Sequence, residues 1–362
     1  MAGTDTKGNG REDIDTDLSV MRRVEDEVKY YGKLGLLSSP ATGLVTDWRN
    51  RLDTQPQRFI NNTNDDWTIN PQALRNFRRR QILVNDIPSH DTGKFSLKSL
   101  WGGGRRGQRR MLREILAVLK EHGDVDLLRK YPCHLAGNPQ VFQYHGFRYT
   151  HRWFKHIYLL GLLNKVLGPR LEEDFVGLDV GSSYGIFSSL LKQEYPDSHH
   201  ILVDFPEQLI LAYYFLSTCF PDARIAGIEE ISNLDNISRE FIEKFDFVLV
   251  PHTLYQNIGQ GAGDLVTNFA SFGEMRRCWF DYYLKAEPFV TAKYFFTANH
   301  IQSSPTYDTD ITILDYPIWD PEKLLHFGNS PGFTGYFTYH RRAMFFYEKR
   351  AYAPFFEYIG EI

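Results

Sequence analysis

The chain has 362 residues, more than one small domain needs, and with 42% hydrophobic and 15% aromatic residues it can fill a sizeable core. A formal net charge of -4 gives no global signal for nucleic acid or for an anionic membrane surface. Three scattered cysteines (Cys133, Cys219 and Cys278) argue against a disulfide framework and suit a reducing compartment, and no CxxC or Cys/His cluster marks a metal site.

Residues 1–16 are polar and rich in Gly and Asp, and read as a disordered tail with no apolar stretch of a signal peptide. Asp17 or Ser19 is placed to cap a helix running to about Tyr31. Residues 40–110 are irregular and carry two basic clusters, Arg75 with Arg78, Arg79 and Arg80, and Arg105, Arg106, Arg109, Arg110 and Arg113. Those clusters suit either a phosphate-bearing ligand or a solvated basic face. Helical periodicity covers 108–121, and a further helix covers 150–166 with Trp153, Phe154, Ile157, Leu160 and Leu163 as its buried stripe. The longest apolar run, about 157–163, is too short to cross a bilayer, so a cytoplasmic protein without membrane insertion is expected.

Beyond residue 168 the pattern changes. Short apolar runs at 175–180, 200–205, 245–250, 264–268 and 289–297 alternate with helical stretches, which predicts an α/β, Rossmann-like parallel sheet. The expected organisation is a tail (1–16), a mainly helical region that could cover the substrate (17–168) and a Rossmann-like domain (169–362). Runs 332–339 and 342–349 predict an antiparallel hairpin at the sheet edge.

The segment Phe175-Val-Gly-Leu-Asp179-Val-Gly181-Ser182-Ser-Tyr-Gly185 reads as strand, Gly-rich turn and helix. Gly181 and Gly185 let the backbone pass close to a ligand. Asp179 could orient the turn or reach an amine. The next strand ends at Asp204, followed by Phe205, where a carboxylate can accept both hydroxyls of a ribose diol. The pattern is Asp-x-Gly-x-x-x-Gly, not the Gly-x-Gly-x-x-Gly that seats a diphosphate. S-adenosyl-L-methionine is therefore expected in place of a nicotinamide dinucleotide.

Further along come Asn268, Ser271-Phe272-Gly273-Glu274-Met275, the aromatic pair Tyr282-Tyr283 and a strand ending in Asn299-His300. With the Gly181 turn and Val203-Asp204-Phe205-Pro206-Glu207, this resembles the sugar O-methyltransferase family over roughly residues 130–300. Gly137-Asn138-Pro139 and Arg148-Tyr149 extend the resemblance upstream. It implies an S-adenosylmethionine-dependent enzyme acting on a sugar-containing small molecule or glycan. Asn268 and Ser271 are then expected beside the cofactor.

A sugar hydroxyl is a poor nucleophile, so a general base near neutral pKa helps. His300 and His252, each at the carboxyl end of a strand, are the leading candidates. Glu274 either holds an acceptor hydroxyl or favours a helix start. Tyr144, His145, Tyr149 and Asn299 are candidate substrate contacts. Asp308 and Asp310 are outlying candidates for the base and could also help a divalent metal orient vicinal hydroxyls, although no spacing demands a metal. No nucleic-acid partner is expected, and a homodimer through the aromatic N-terminal helices is compatible with the composition. Two other readings share the fold: a nicotinamide-dependent sugar oxidoreductase, for which no Tyr-x-x-x-Lys pair is in place, and a catalytically idle cofactor-binding scaffold.

Overall fold

The computed structural model describes residues 12–36, 60–63, 66–69, 113, 115–134, 136, 142–302, 310–331, 339–340, 349–350 and 354–362. Most of both arginine clusters, Gly137-Asn138-Pro139 and Asp308 lie outside them; Arg113 is described and exposed.

An eight-stranded sheet organises the molecule. Its strands are β1 (Val176–Val180), β2 (His199–Asp204), β3 (Ile225–Ala226), β4 (Phe247–Pro251), β5 (Leu265–Phe269), β6 (Tyr294–His300), β7 (Leu324–Asn329) and β8 (Phe355–Glu361). They lie in the order β7-β8-β6-β5-β1-β2-β4-β3. Every pair from β3 to β6 is parallel, while β8 runs antiparallel to both β6 and β7. The chain winds outward from β1 in one direction and resumes at β5 in the other, so the switch point falls between β1 and β5. β1 and β4 are buried at every position, as expected of strands covered on both faces.

The strand limits differ from the sequence reading in telling ways. Residues 287–290 form a helical turn before β6, so Phe289 is core and not strand. The edge of the sheet is made by β7 and β8, neither of which the sequence reading anticipated. Tyr339–His340 and Lys349–Arg350 do pair antiparallel, but in a two-stranded ladder of their own.

The helices follow from their ends. Helix α1 (Glu12–Lys33) begins upstream of the expected Asp17 or Ser19 start and reaches into the segment read as a tail. Val20, Val24, Val28 and Tyr31 make its buried stripe. Helix α2 (His151–Val166) is capped by Thr150, whose Oγ1 accepts the Trp153 N–H at 3.1 Å. Helix α3 (Ile186–Glu194) starts after Gly185, and helix α4 (Pro206–Cys219) starts with proline at a position that needs no N–H. Helix α5 (Arg277–Lys285) covers the β5–β6 side. Buried residues of α1 and α2 belong to the same hydrophobic cluster as the sheet, so the core does not break at the expected 168–173 boundary. Glu27 of α1 reaches the sheet domain, where it accepts the Ile228 N–H and fills the space beside Gly227.

At the amino ends of the strands, Asp264 ties the sheet together. It accepts the Val176 N–H at 2.9 Å and pairs with Arg239 and Lys293 at 2.9 Å each. Burial opposes its charge, but the N–H and the two cations outweigh that and hold the carboxyl below its usual range. Asp264→Ala is expected to cost about 2–4 kcal/mol by orphaning these partners, read as a lower denaturant midpoint at unchanged slope. A loss within about 0.5 kcal/mol would show the cluster to be dispensable.

Candidate active site

Two tight turns meet at the switch point. The first follows β1 and has three left-handed residues: Gly181 (φ 76°), Ser183 (φ 55°) and Gly185 (φ 82°). The second follows β5, where Ala270 (φ 52°) turns the chain into a single 3-10 turn, Phe272–Glu274. A Cβ on Gly181 would lie 2.2 Å from Ser271 Oγ, so glycine is what allows the two turns to touch. A Cβ on Gly185 would lie 2.8 Å from Leu202 Cδ2, so the second glycine serves helix–sheet packing.

Four of the five N–H groups of the first turn (181–185) are already engaged. Gly181 and Ser182 donate to the Val203 carbonyl, Gly185 donates to the Ser182 carbonyl, and Ser183 donates to Asp204 Oδ2 at 2.6 Å. The turn is therefore no nest for a diphosphate. The Ser182 hydroxyl is buried with no hydrogen-bond partner among the described residues.

Asp204 stands at the end of β2. Its Oδ1 accepts the Phe205 N–H at 2.7 Å and its Oδ2 the Ser183 N–H, which leaves each oxygen acceptor capacity. Burial pushes its pKa up to about 7; the two N–H groups oppose this, and nearby Asp179 and Glu207 add to it. Asp179 is different. It lies under the turn, accepting from Thr267 Oγ1 at 2.8 Å and Ser188 Oγ at 3.4 Å, with its pKa raised by burial to about 6. That position lets Asp179 orient the turn, the first of the two roles expected of it.

Asn268 and Asn299 also turn out to build the site from beneath. Asn268 donates to the Val180 carbonyl and accepts from the Phe272 N–H. Asn299 Oδ1 accepts the N–H groups of Ser271 and Gly273, and its Nδ2 donates to Asn268 Oδ1 at 2.8 Å. Both are fully buried. Their amides hold the second turn in place. Glu274 sits at the end of the 3-10 turn; α5 begins only at Arg277, so Glu274 does not start that helix.

His300, the last residue of β6, lies 3.8 Å from Glu274 through Nε2, an ion-pair separation and not a hydrogen bond. Its ring packs on Phe355 at 4.0 Å, and its Nδ1 is buried without a hydrogen-bond partner among the described residues. His252 follows β4 and is equally buried. It sits edge-on between Phe205 (5.2 Å) and Trp279 (5.7 Å), in an aromatic box. Asp204, Phe205 and His252 thus gather after β2 and β4, and Glu274 and His300 gather after β5 and β6.

The remaining candidates separate from the crevice. Tyr149 is buried, and its hydroxyl donates to the Leu128 carbonyl at 2.8 Å, so it is core of the N-terminal region and no substrate contact. His145 (φ 48°) and Gly146 (φ 85°) form the two-residue turn of the hairpin Phe142–Tyr144 and Phe147–Tyr149, with His145 exposed. The Tyr144 side chain lies outside the described residues. Asp310 pairs with Arg277. Arg152, which the sequence reading passed over, places its Nη1 3.3 Å from Ser183 Oγ and its guanidinium 5.9 Å from the Tyr184 ring. Its one sequence signal is its place in the first turn after the Thr150 cap.

Three buried carboxyls set the pH response of the ligand-free protein. Glu27, like Asp204, is pushed up to about 7, chiefly by burial, and Asp179 to about 6. Through these three groups the folded state binds more protons than the unfolded chain between about pH 4 and 7, and they lose their stabilising effect as pH rises through that window, while buried His200, whose pKa burial lowers to about 3, acts in the opposite direction below about pH 6.5. Glu27→Gln should reduce the fall in thermal midpoint between pH 5.5 and 8. An unchanged fall would show that Glu27 does not hold its proton.

The fold is that of a Rossmann-like α/β protein, with its two tight turns meeting at the switch point. No family model matches the chain, and no curated protein matches it in sequence. Among solved structures it is similar to TehB from Haemophilus influenzae at 11% identity, over 56% of this chain and 61% of that one, with a TM-score of 0.37. EvdMO1 is similar at 12% identity over 67% of this chain and 47% of its own (TM-score 0.33), and WbdD at 14% over 55% and 38% (TM-score 0.31). The chain thus spans less than two thirds of each of these proteins, and likeness at this level assigns no activity.

Among the described residues no helix is long and apolar enough to cross a membrane, and no group of three or more His, Cys, Asp or Glu side chains is placed to hold a metal ion.

Proposed function

We propose that this chain is an S-adenosylmethionine-dependent O-methyltransferase whose acceptor is a sugar hydroxyl. The observation that carries the cofactor is Asp204, held by two backbone N–H groups with acceptor capacity left on both oxygens, beside a turn that has spent four of its N–H groups within the protein. That pairing suits a ribose diol without a diphosphate. The reversed strand β8, set between β6 and β7, also departs from the all-parallel order of dinucleotide folds and agrees with a methyltransferase sheet. The buried Ser182 hydroxyl gives the turn a further polar atom for the cofactor.

When bound, the cofactor supplies an electrophilic methyl group. Much of the work left to the protein is positioning the acceptor oxygen in line. His300 takes the hydroxyl proton on Nδ1, the nitrogen without a partner among the described residues, while Nε2–H faces Glu274. Glu274 balances the imidazolium that forms. Phe205 and His252 give the adenine an aromatic wall.

The reading is tested with methyl-labelled cofactor and a panel of free deoxysugars, nucleotide sugars and glycans. A methyl ether on a sugar oxygen is the expected product. Label on nitrogen or carbon of the acceptors, or on none of them while cofactor binds, would overturn the O-methyl reading and, in the second case, favour an idle scaffold.

A further inference from the structure

Four N–H groups of the first turn, those of Gly181, Ser182, Ser183 and Gly185, are engaged within the protein and are not available to an anion. The floor beside it is acidic, with Asp179 and Glu207 close enough to Asp204 to raise its proton affinity. Such a floor suits a sulfonium and an ammonium but repels a carboxylate. An amino-acid end bound here therefore needs a cation at the rim.

Arg152 is in that place. Thr150 caps the helix one turn away, and Trp153 Nε1 donates to the Tyr131 carbonyl at 3.0 Å, so the first turn of α2 is pinned. The half-buried Arg152 side chain then lies along the glycine turn, over Tyr184 and against Ser183. Stacking on a ring fixes the plane of a guanidinium, and its fork of donors matches a carboxylate bidentately.

We infer that Arg152 binds the carboxylate of the cofactor's amino-acid end, so that the last helix of the N-terminal region belongs to the cofactor site. This rests on the cofactor reading above. It also assigns the helix a task other than covering the acceptor.

The test compares two ligands by calorimetry on the full chain: S-adenosylhomocysteine, and 5′-methylthioadenosine, which keeps the nucleoside and thioether but lacks the amino acid. Arg152→Ala should weaken S-adenosylhomocysteine about tenfold to 100-fold, the loss of a charge-assisted pair, and leave 5′-methylthioadenosine within about twofold. Arg152→Lys should recover part of the loss. Equal weakening of both ligands, or of neither, overturns the inference while the cofactor reading stands. Wild type that binds 5′-methylthioadenosine as tightly as S-adenosylhomocysteine also overturns it. Wild type that binds neither overturns the cofactor reading and this inference with it.

Discussion

Asp204→Ala is expected to weaken S-adenosylmethionine binding by about 100-fold or more, the loss of two hydrogen bonds to a charged acceptor. The variant also releases the Ser183 and Phe205 N–H groups, so the first turn loses its anchor as well as its ligand contact. Asp204→Asn separates the two effects. It restores one acceptor oxygen but turns an amide donor toward a donor, and should recover little affinity. Wild-type affinity should fall as pH drops below about 7, where Asp204 takes up its proton and can no longer accept from both ribose hydroxyls. Calorimetry at pH 8 and pH 6 reads this directly. Affinity that rises toward acid pH would place the diol elsewhere.

His300→Ala is expected to lower methyl transfer about 10²- to 10⁴-fold while leaving cofactor affinity within a few fold. His300 packs on Phe355 and faces Glu274, while His252 packs on Phe205, the neighbour of Asp204. His252→Ala should show the reverse: weaker cofactor binding and a smaller loss in turnover at saturating cofactor. Glu274→Gln keeps the shape beside His300 but removes the charge, and should lower turnover less than His300→Ala does. Turnover unaffected by His300→Ala would move the base to another residue and leave Glu274 as a structural carboxylate.

The parts of this site that are local in sequence were legible as sequence. Gly181, Gly185 and Asp204 lie on one strand–turn–helix–strand unit, and their roles follow from backbone freedom and strand length. Thr150 and Pro206 announce their helices for the same reason. What was not legible depends on partners far along the chain. Asn268 and Asn299 are polar residues at strand ends, which is where ligand contacts are sought, yet each spends its amide on the other and on the turn above it. Tyr149 likewise meets Leu128 across the N-terminal region. Asp179 meets Thr267 of a strand that the sequence places 88 positions away.

Strand β8 shows the same limit in the fold. Phe355–Glu361 carries apolar side chains on both faces and a buried Glu357 between Tyr158 and His326, so it reads neither as an alternating strand nor as an edge. Its reversal is decided by pairing with β6 and β7. The basic clusters drew attention by number, whereas Arg152, a single arginine in a helical stripe, gave no pattern to notice until the turn it lies against was in view.

The most direct measurement is calorimetric titration of the wild-type chain with S-adenosylmethionine and, separately, with NADH. Saturable binding of S-adenosylmethionine that Asp204→Ala abolishes, with none of NADH, is the expected result. Saturable binding of NADH, or S-adenosylmethionine binding that survives Asp204→Ala unchanged, would contradict it.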